Sequence, residues 1–191
     1  MSKNSVNSCK VITGKDTRLS YEHVWEPASI NGGNPRYSVC CMIPKSDSVT
    51  VDKVRRAIEA AYHEGEGKLK GSGKTVPPMS AIKNPLRDGD LDRPDDPAFA
   101  GMWFVNANTD RAPGVVDLSC NPIIDRGEVY SGVYGRASIS FYAFNSSGNR
   151  GIACGLNNLQ KIRDGEPLGG RASAESDFSG FDDDDDDDFL S

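Results

Sequence analysis

No stretch of the 191-residue sequence stays apolar for the roughly 18–20 residues that a membrane-spanning helix needs, so no membrane partner is expected. The opening Met1-Ser2-Lys3-Asn4-Ser5 lacks the apolar core of a secretory leader, which points to a cytoplasmic protein. Histidine is nearly absent, with only His23 and His63, and the five cysteines (Cys9, Cys40, Cys41, Cys120, Cys154) include no Cys-x-x-Cys pair. Too few ligands stand at metal-binding spacing, so neither a metal nor another cofactor is expected. An odd set of thiols in a cytoplasmic chain reads as reduced and mostly buried. Also missing are a Walker-type Gly-x-x-x-x-Gly-Lys-Ser/Thr sequence and any nucleophile motif beside the two histidines, so catalysis is not expected.

What is present begins with charge. The net charge of −6 conceals an asymmetry: residues 175–191 hold nine acids (Glu175, Asp177 and Asp182 to Asp188) and no base. Removing those nine from the 28 acidic residues leaves 19 against 22 bases in residues 1–174, a net of +3. A mildly basic body joined to a polyanion attracts its own tail, and an external polyanion could take the tail's place. The plainer alternative is a solubilising tail on an ordinary domain. Hydrophobic residues make up 37% of the chain, enough for one core at this length but not for two.

Along the chain, residues 9–25 read as strand, turn, strand, followed by an Asn31-Gly32-Gly33-Asn34-Pro35 loop. Residues 37–43 form a strand with Tyr37, Val39, Cys41 and Ile43 on one face and Met42 blurring the alternation. The period then changes. Val51, Val54, Ile58 and Ala61 line one face of a helix, with Thr50 as N-cap and Gly65 as stop. Residues 65–78 read as a mobile connection and 84–101 as a long irregular loop. Residues 102–107 and 115–118 are short strands. A hairpin then pairs 133–144 with 151–162 around a turn at 145–149. From 163 onward the composition is that of a disordered segment.

The strand 133–144 carries the most chemistry. Its odd positions, Val133, Gly135, Ala137, Ile139, Phe141 and Ala143, face a core. Its even positions place Tyr134, Arg136, Tyr142 and Phe144 on the other face. Bases stack on aromatic rings for about 1–3 kcal/mol each, and Arg adds phosphate or cation–π contacts. Covering by a second layer or subunit is the competing explanation for such a face. Further candidates for the backbone of a nucleic acid are Arg18, Arg36, Arg87, Arg111 and Lys161, with Lys10, Lys83, Arg126 and Arg163 in similar settings. The acid-rich loop 88–96 (Asp88, Asp90, Asp92, Asp95, Asp96) offers an alternative, a metal-dependent nuclease or DNA-junction-processing enzyme. A third is a scaffold protein that binds no nucleic acid. The tail joins Phe181 and the acids Asp182, Asp183, Asp184, Asp185, Asp186, Asp187 and Asp188 to Phe189, Leu190 and Ser191. Such a run can mimic DNA phosphates, while Phe189 and Leu190 can anchor a partner protein.

Four stretches together resemble a family. They are Arg36-Tyr37-Ser38-Val39 with Ile43-Pro44-Lys45-Ser46, then Pro85-Leu86-Arg87-Asp88-Gly89-Asp90. Val129-Tyr130-Ser131-Gly132-Val133-Tyr134-Gly135-Arg136 and Gly155-Leu156-Asn157-Asn158-Leu159-Gln160-Lys161 complete the set. From about Val11 to Arg171 the chain resembles the single-stranded-DNA-binding proteins of tailed bacteriophages. The resemblance implies a mainly β, OB-like five-stranded Greek-key barrel with one helix, a long loop insertion and an acidic tail. Its helix is typically found between the third and fourth strands. The resemblance also implies coating of exposed single strands during phage DNA replication or recombination in the host cytoplasm, without catalysis or metal. Tyr130, Tyr134 and Arg136 match the family's Tyr-Ser-Gly-x-Tyr-Gly-Arg stretch, and Trp103 joins the DNA-binding candidates. The tail is similar to those of bacterial single-strand-binding proteins, which recruit replication and repair enzymes. It departs from them in ending on Leu190-Ser191 rather than Pro-Phe. The expected organisation is a flexible N-terminus (1–5), a DNA-binding domain (6–165) and a disordered acidic tail (166–191). Single-stranded DNA is the expected ligand, duplex DNA stays open, and replication or recombination proteins are the expected tail partners.

Overall fold

A computed structural model of the protein describes residues 8–29 and 32–168. The expected flexible N-terminus and the acidic run with Phe189 and Leu190 lie outside the described residues. In chain order the elements are β1 (Lys10–Ile12), β2 (Arg18–Ala28), β3 (Arg36–Pro44), α1 (Ser48–Glu64) and α2 (Glu66–Lys70). There follow β4 (Arg87–Asp88), α3 (Gly89–Asp92), β5 (Met102–Thr109), β6 (Gly114–Val116), β7 (Tyr134–Ser146) and β8 (Asn149–Arg163).

Five strands close on themselves. β2 pairs with β3, β3 with β5, β5 with β8, β8 with β7, and β7 returns to β2 through Arg18 and Tyr134. All these pairings are antiparallel except β5–β8. Counted in chain order the ring runs first, second, third, fifth, fourth, which is the Greek-key barrel of the OB fold. The helix position differs from expectation. It follows the second ring strand, because β1 lies outside the ring. β1 has three residues and pairs only with the middle of β7, at Ser138 to Ser140, whereas β7 meets β2 at its own first residue. One long strand thus serves two partners at different heights.

The core follows the periodicities. Val51, Val54, Ile58 and Ala61 of α1 are buried, as are all six odd positions of 133–143. The N-cap of α1 is Asp47 rather than Thr50: its carboxylate accepts from the Thr50 N–H at 3.2 Å and from the Thr50 hydroxyl at 2.6 Å. Thr50 is buried in the first turn, where its oxygen accepts from the Gly14 N–H at 3.0 Å. Gly65 ends the helix as expected, and the segment after it opens with α2 around buried Leu69. The β7–β8 turn is tighter than the sequence suggests. Ser147 and Gly148, at φ 51° and 87°, form the two-residue primed turn that matches strand twist.

Residues 84–101 are not irregular. β4, α3 and a single 3-10 turn (Pro97–Phe99) fold the segment against the outside of the barrel. There Phe99, only 1% exposed, packs on Cys40, Met42 and Phe104. This second apolar cluster explains why Met42 blurs the alternation of β3: both faces of that strand are covered.

Candidate nucleic-acid interface

The second cluster forms one wall of a groove. Beyond it the outer faces of β2, β3 and β5 enclose a cavity of about 710 Å³, lined by Tyr21, His23, Arg36, Ser38, Arg93 and Asn108 among others. Tyr21 projects into solvent at 52% exposure, from a backbone φ of 47° that a tyrosine rarely adopts. Its ring stacks on Phe99, with centroids 6.5 Å apart and planes 24° from parallel. The Arg93 guanidinium lies 5.7 Å from the Tyr21 ring centre and 5.4 Å from that of Phe99. Loop and barrel therefore meet through an aromatic pair capped by a cation, which holds a charged, flat surface at the groove rim.

Arg36 stands at the far side, its Nε 2.8 Å from an Asp110 carboxylate oxygen, and Arg111 follows in the same exposed loop. The floor is uncharged. Burial pushes the Cys40 thiol up to about 12, against a smaller downward pull from Arg93, so it stays protonated. The Asn108 side-chain oxygen is shut off from solvent and has no hydrogen-bond donor among the described residues. Cations on the rims, an exposed ring and a neutral floor are the parts used to track a phosphate backbone and stack bases.

Other expected residues are engaged elsewhere. The Tyr134 ring is held between two guanidiniums, Arg163 at 4.0 Å and Arg18 at 5.4 Å from its centre. Arg18 also donates to the carbonyls of Gly132 and Glu166. Tyr130 donates to the Gly165 carbonyl at 2.8 Å and accepts from the Gly165 N–H at 3.0 Å. Lys161 pairs with Asp164 at 2.8 Å, which holds that carboxyl below its ordinary value. Together they fasten residues 164–168 across the β2–β7 seam. Gly132, at φ 115°, is the residue that admits this strap, because a Cβ there would collide with the Glu166 carbonyl. Leu168, the last described residue, packs on the Phe99 cluster beside the groove.

Arg136 and Tyr142 do share the outer face of β7 and are exposed, while Phe144 is half-buried over Gly151. Trp103 is on the helix side, with Lys45 and Arg55 at 5.2 and 5.1 Å from its ring centre. Arg87 pairs with Asp92 at 2.6 Å, and Arg126 with Glu26 at 3.1 Å. The acid-rich loop is spent on local structure. Lys45 bridges Asp88 and Asp90 at 2.8 Å each, and Asp96 caps the turn at Ala98. Among the described residues no three His, Cys, Asp or Glu side chains gather as around a metal ion.

Sequence reading missed Tyr21, His23, Arg93, Asn106 and Asn108. They come from separate segments: the register of β2, β3 and β5 gathers Tyr21, His23, Asn106 and Asn108, and Arg93 reaches them from the end of α3, in the segment packed on the outside of the barrel. The exposed Tyr21 within an otherwise mixed strand was the one local signal.

Fold and groove define an OB-barrel protein with a basic, aromatic-edged outer groove. Residues 9–190 match the family model described as Enterobacter phage Enc34, ssDNA-binding protein, and the chain belongs to that family. It is 30% identical over 178 residues to putative protein p50 of Acyrthosiphon pisum secondary endosymbiont phage 1, covering 88% of this chain and 90% of that protein. The structure of the single-stranded DNA-binding protein from bacteriophage Enc34 in complex with ssDNA is similar at a TM-score of 0.67 and 25% identity, covering 85% of this chain and 90% of that one. The single-stranded DNA-binding protein gp2.5 of bacteriophage T7 shares the fold, at a TM-score of 0.56, 16% identity, and 90% and 93% of the two chains.

Proposed function

We propose that this protein binds single-stranded DNA without strong sequence preference and protects it during phage DNA replication or recombination in the host cytoplasm, acting as a binding protein and not as an enzyme. The observation that carries this reading is the groove over β2, β3 and β5. Its rims bear Arg36 and Arg93 and its edge bears the exposed Tyr21. Stacking tolerates any base, and backbone neutralisation tolerates any order of bases, so these parts bind strands rather than sequences. Tyr21 needs an unstacked base as its partner, which favours single strands over duplex.

The acidic segment 175–191 competes for the same groove. Nine carboxylates follow a body of net +3, and the described chain ends at Leu168 on the cluster whose Cys40 also lines the groove. A short tether raises local concentration to roughly millimolar, so even a weak contact is populated. DNA displaces the segment, and Phe189 and Leu190 then recruit replication or recombination proteins. Titrating labelled single strands and the matching duplex with the full-length protein tests the reading. Tighter binding of the single strand is expected; equal or stronger binding of duplex would overturn it.

A further inference from the structure

We propose that the DNA strand continues past the groove, over Gly155 of β8, onto a second contact surface built from Tyr142 and Lys10. This rests on the groove being the DNA site, and its test separates the two.

The register of the barrel makes the two surfaces continuous. Ser38 and Asn108, both in the groove, are paired neighbours on β3 and β5. Asn108 pairs with Gly155, Gly155 with Ser140, and Ser140 with Lys10 on β1. All these positions face outward, since the intervening residues Val39, Ala107, Cys154, Ile139 and Val11 are core.

Gly155 is the step between the two halves, and the fold does not require a glycine there. A Cβ would stand 3.6 Å from the Ser140 carbonyl oxygen, 3.7 Å from Tyr142 Cε1 and 4.0 Å from the Asn108 carbonyl oxygen, all ordinary contacts. Its φ lies outside the positive region. Glycine inside a strand costs about 0.5–1 kcal/mol relative to alanine, and one without a local cause marks a place where something approaches the backbone closely.

What lies beyond the step suits a nucleic acid. Tyr142 is 43% exposed, and its ring has no hydrogen-bond or stacking partner among the described residues. Lys10 is exposed on the adjoining strand without an ion-pair partner among the described residues. A ring for stacking and a cation for phosphate thus follow the groove in the direction the strand would run.

Full-length protein carrying Gly155→Val, Tyr142→Ala, Tyr142→Phe or Arg93→Ala is titrated with oligothymidylates of about 5 and about 15 nucleotides, near the short and long ends of the site sizes of one OB domain. Thermal melting is recorded for each variant. Gly155→Val is expected to melt no lower than wild type. With Tyr142→Ala it should weaken binding of the longer strand about fivefold or more and leave the shorter unchanged. Tyr142→Phe keeps the ring and should bind as wild type. Arg93→Ala should weaken both lengths. If Gly155→Val and Tyr142→Ala bind the longer strand as tightly as wild type while Arg93→Ala weakens both, the extension is wrong and the groove stands. If Arg93→Ala weakens neither, the groove reading itself fails.

Discussion

Tyr21 and Phe99 stack on each other from opposite situations: one ring is 52% exposed at the groove edge, the other 1% exposed beneath the loop 97–99. The buried partner fixes the exposed one, so their truncations should separate. Tyr21→Ala should weaken single-strand binding by about 1–3 kcal/mol with little change in stability. Phe99→Ala should cost about 3–5 kcal/mol of stability, because it empties the centre of the outer cluster. Urea denaturation and oligonucleotide titration read the two effects. A destabilised Tyr21→Ala that still binds DNA normally would reverse the assignment.

How much of this was legible depended on whether the signal was local. The alternation of 133–144 and the face of α1 are periodic, so core and solvent sides were readable, and the closing hairpin with them. Tyr134 looked free by the same rule. It is not, because Arg18 and Arg163 converge on its ring from β2 and β8, and no pattern within one strand reveals a partner from another. Met42 blurs the alternation because the Phe99 cluster covers that face of β3, from a segment whose Pro and Asp content resembles an open loop. Arg36 is a candidate from the sequence and lines the groove, whereas Arg93, nearly sixty positions later, joins it only through tertiary packing.

Thiol chemistry gives an independent check on burial. Cys9, Cys40, Cys41 and Cys154 are buried and Cys120 is exposed. Burial raises the Cys40 thiol to about 12 and also pushes Cys41 and Cys154 up. Brief alkylation of the native protein at neutral pH, read by mass spectrometry of peptides, should modify Cys120 first. Prior labelling of Cys40 would mean that the loop 89–101 opens on that timescale.

The Lys45 bridge predicts a pH dependence. Hydrogen bonding to Lys45 holds the Asp90 carboxyl below its ordinary value of 3.8. A depressed folded value contributes stability above the unfolded value, and that contribution is lost as pH falls through the folded one. Lys45→Met should therefore melt below wild type at neutral pH. The gap should close in acid, beneath the range where Asp90 titrates. A gap that stays constant down to strong acid would mean that Lys45 acts through its contact with Trp103 and not through its charge.

Salt tests the cationic rims. For single strands the logarithm of affinity should fall with the logarithm of salt at about 0.7 per phosphate neutralised. Arg36→Ala and Arg93→Ala should each make that slope shallower, while Arg18→Ala, whose guanidinium is spent on the 164–168 strap, should leave it unchanged. An Arg18 effect equal to that of Arg93 would move the DNA path across the β2–β7 seam.

Mutual exclusion of the acidic C-terminal segment and DNA from one groove is measured by comparing three proteins at low salt. These are the full chain, a chain ending at Ala174, and the full chain with Asp182 to Asp188 replaced by Asn. Single-strand affinity of each is measured again at higher salt. The segment lowers apparent affinity by the fraction of time it occupies the groove, and that occupancy is greatest where opposite charges are least screened. The shortened and the Asn-substituted chains should both bind more tightly than the full chain, by similar factors, and the advantage should shrink as salt rises. If neither binds more tightly than the full chain at low salt, the segment does not enter the groove, and the competition is contradicted.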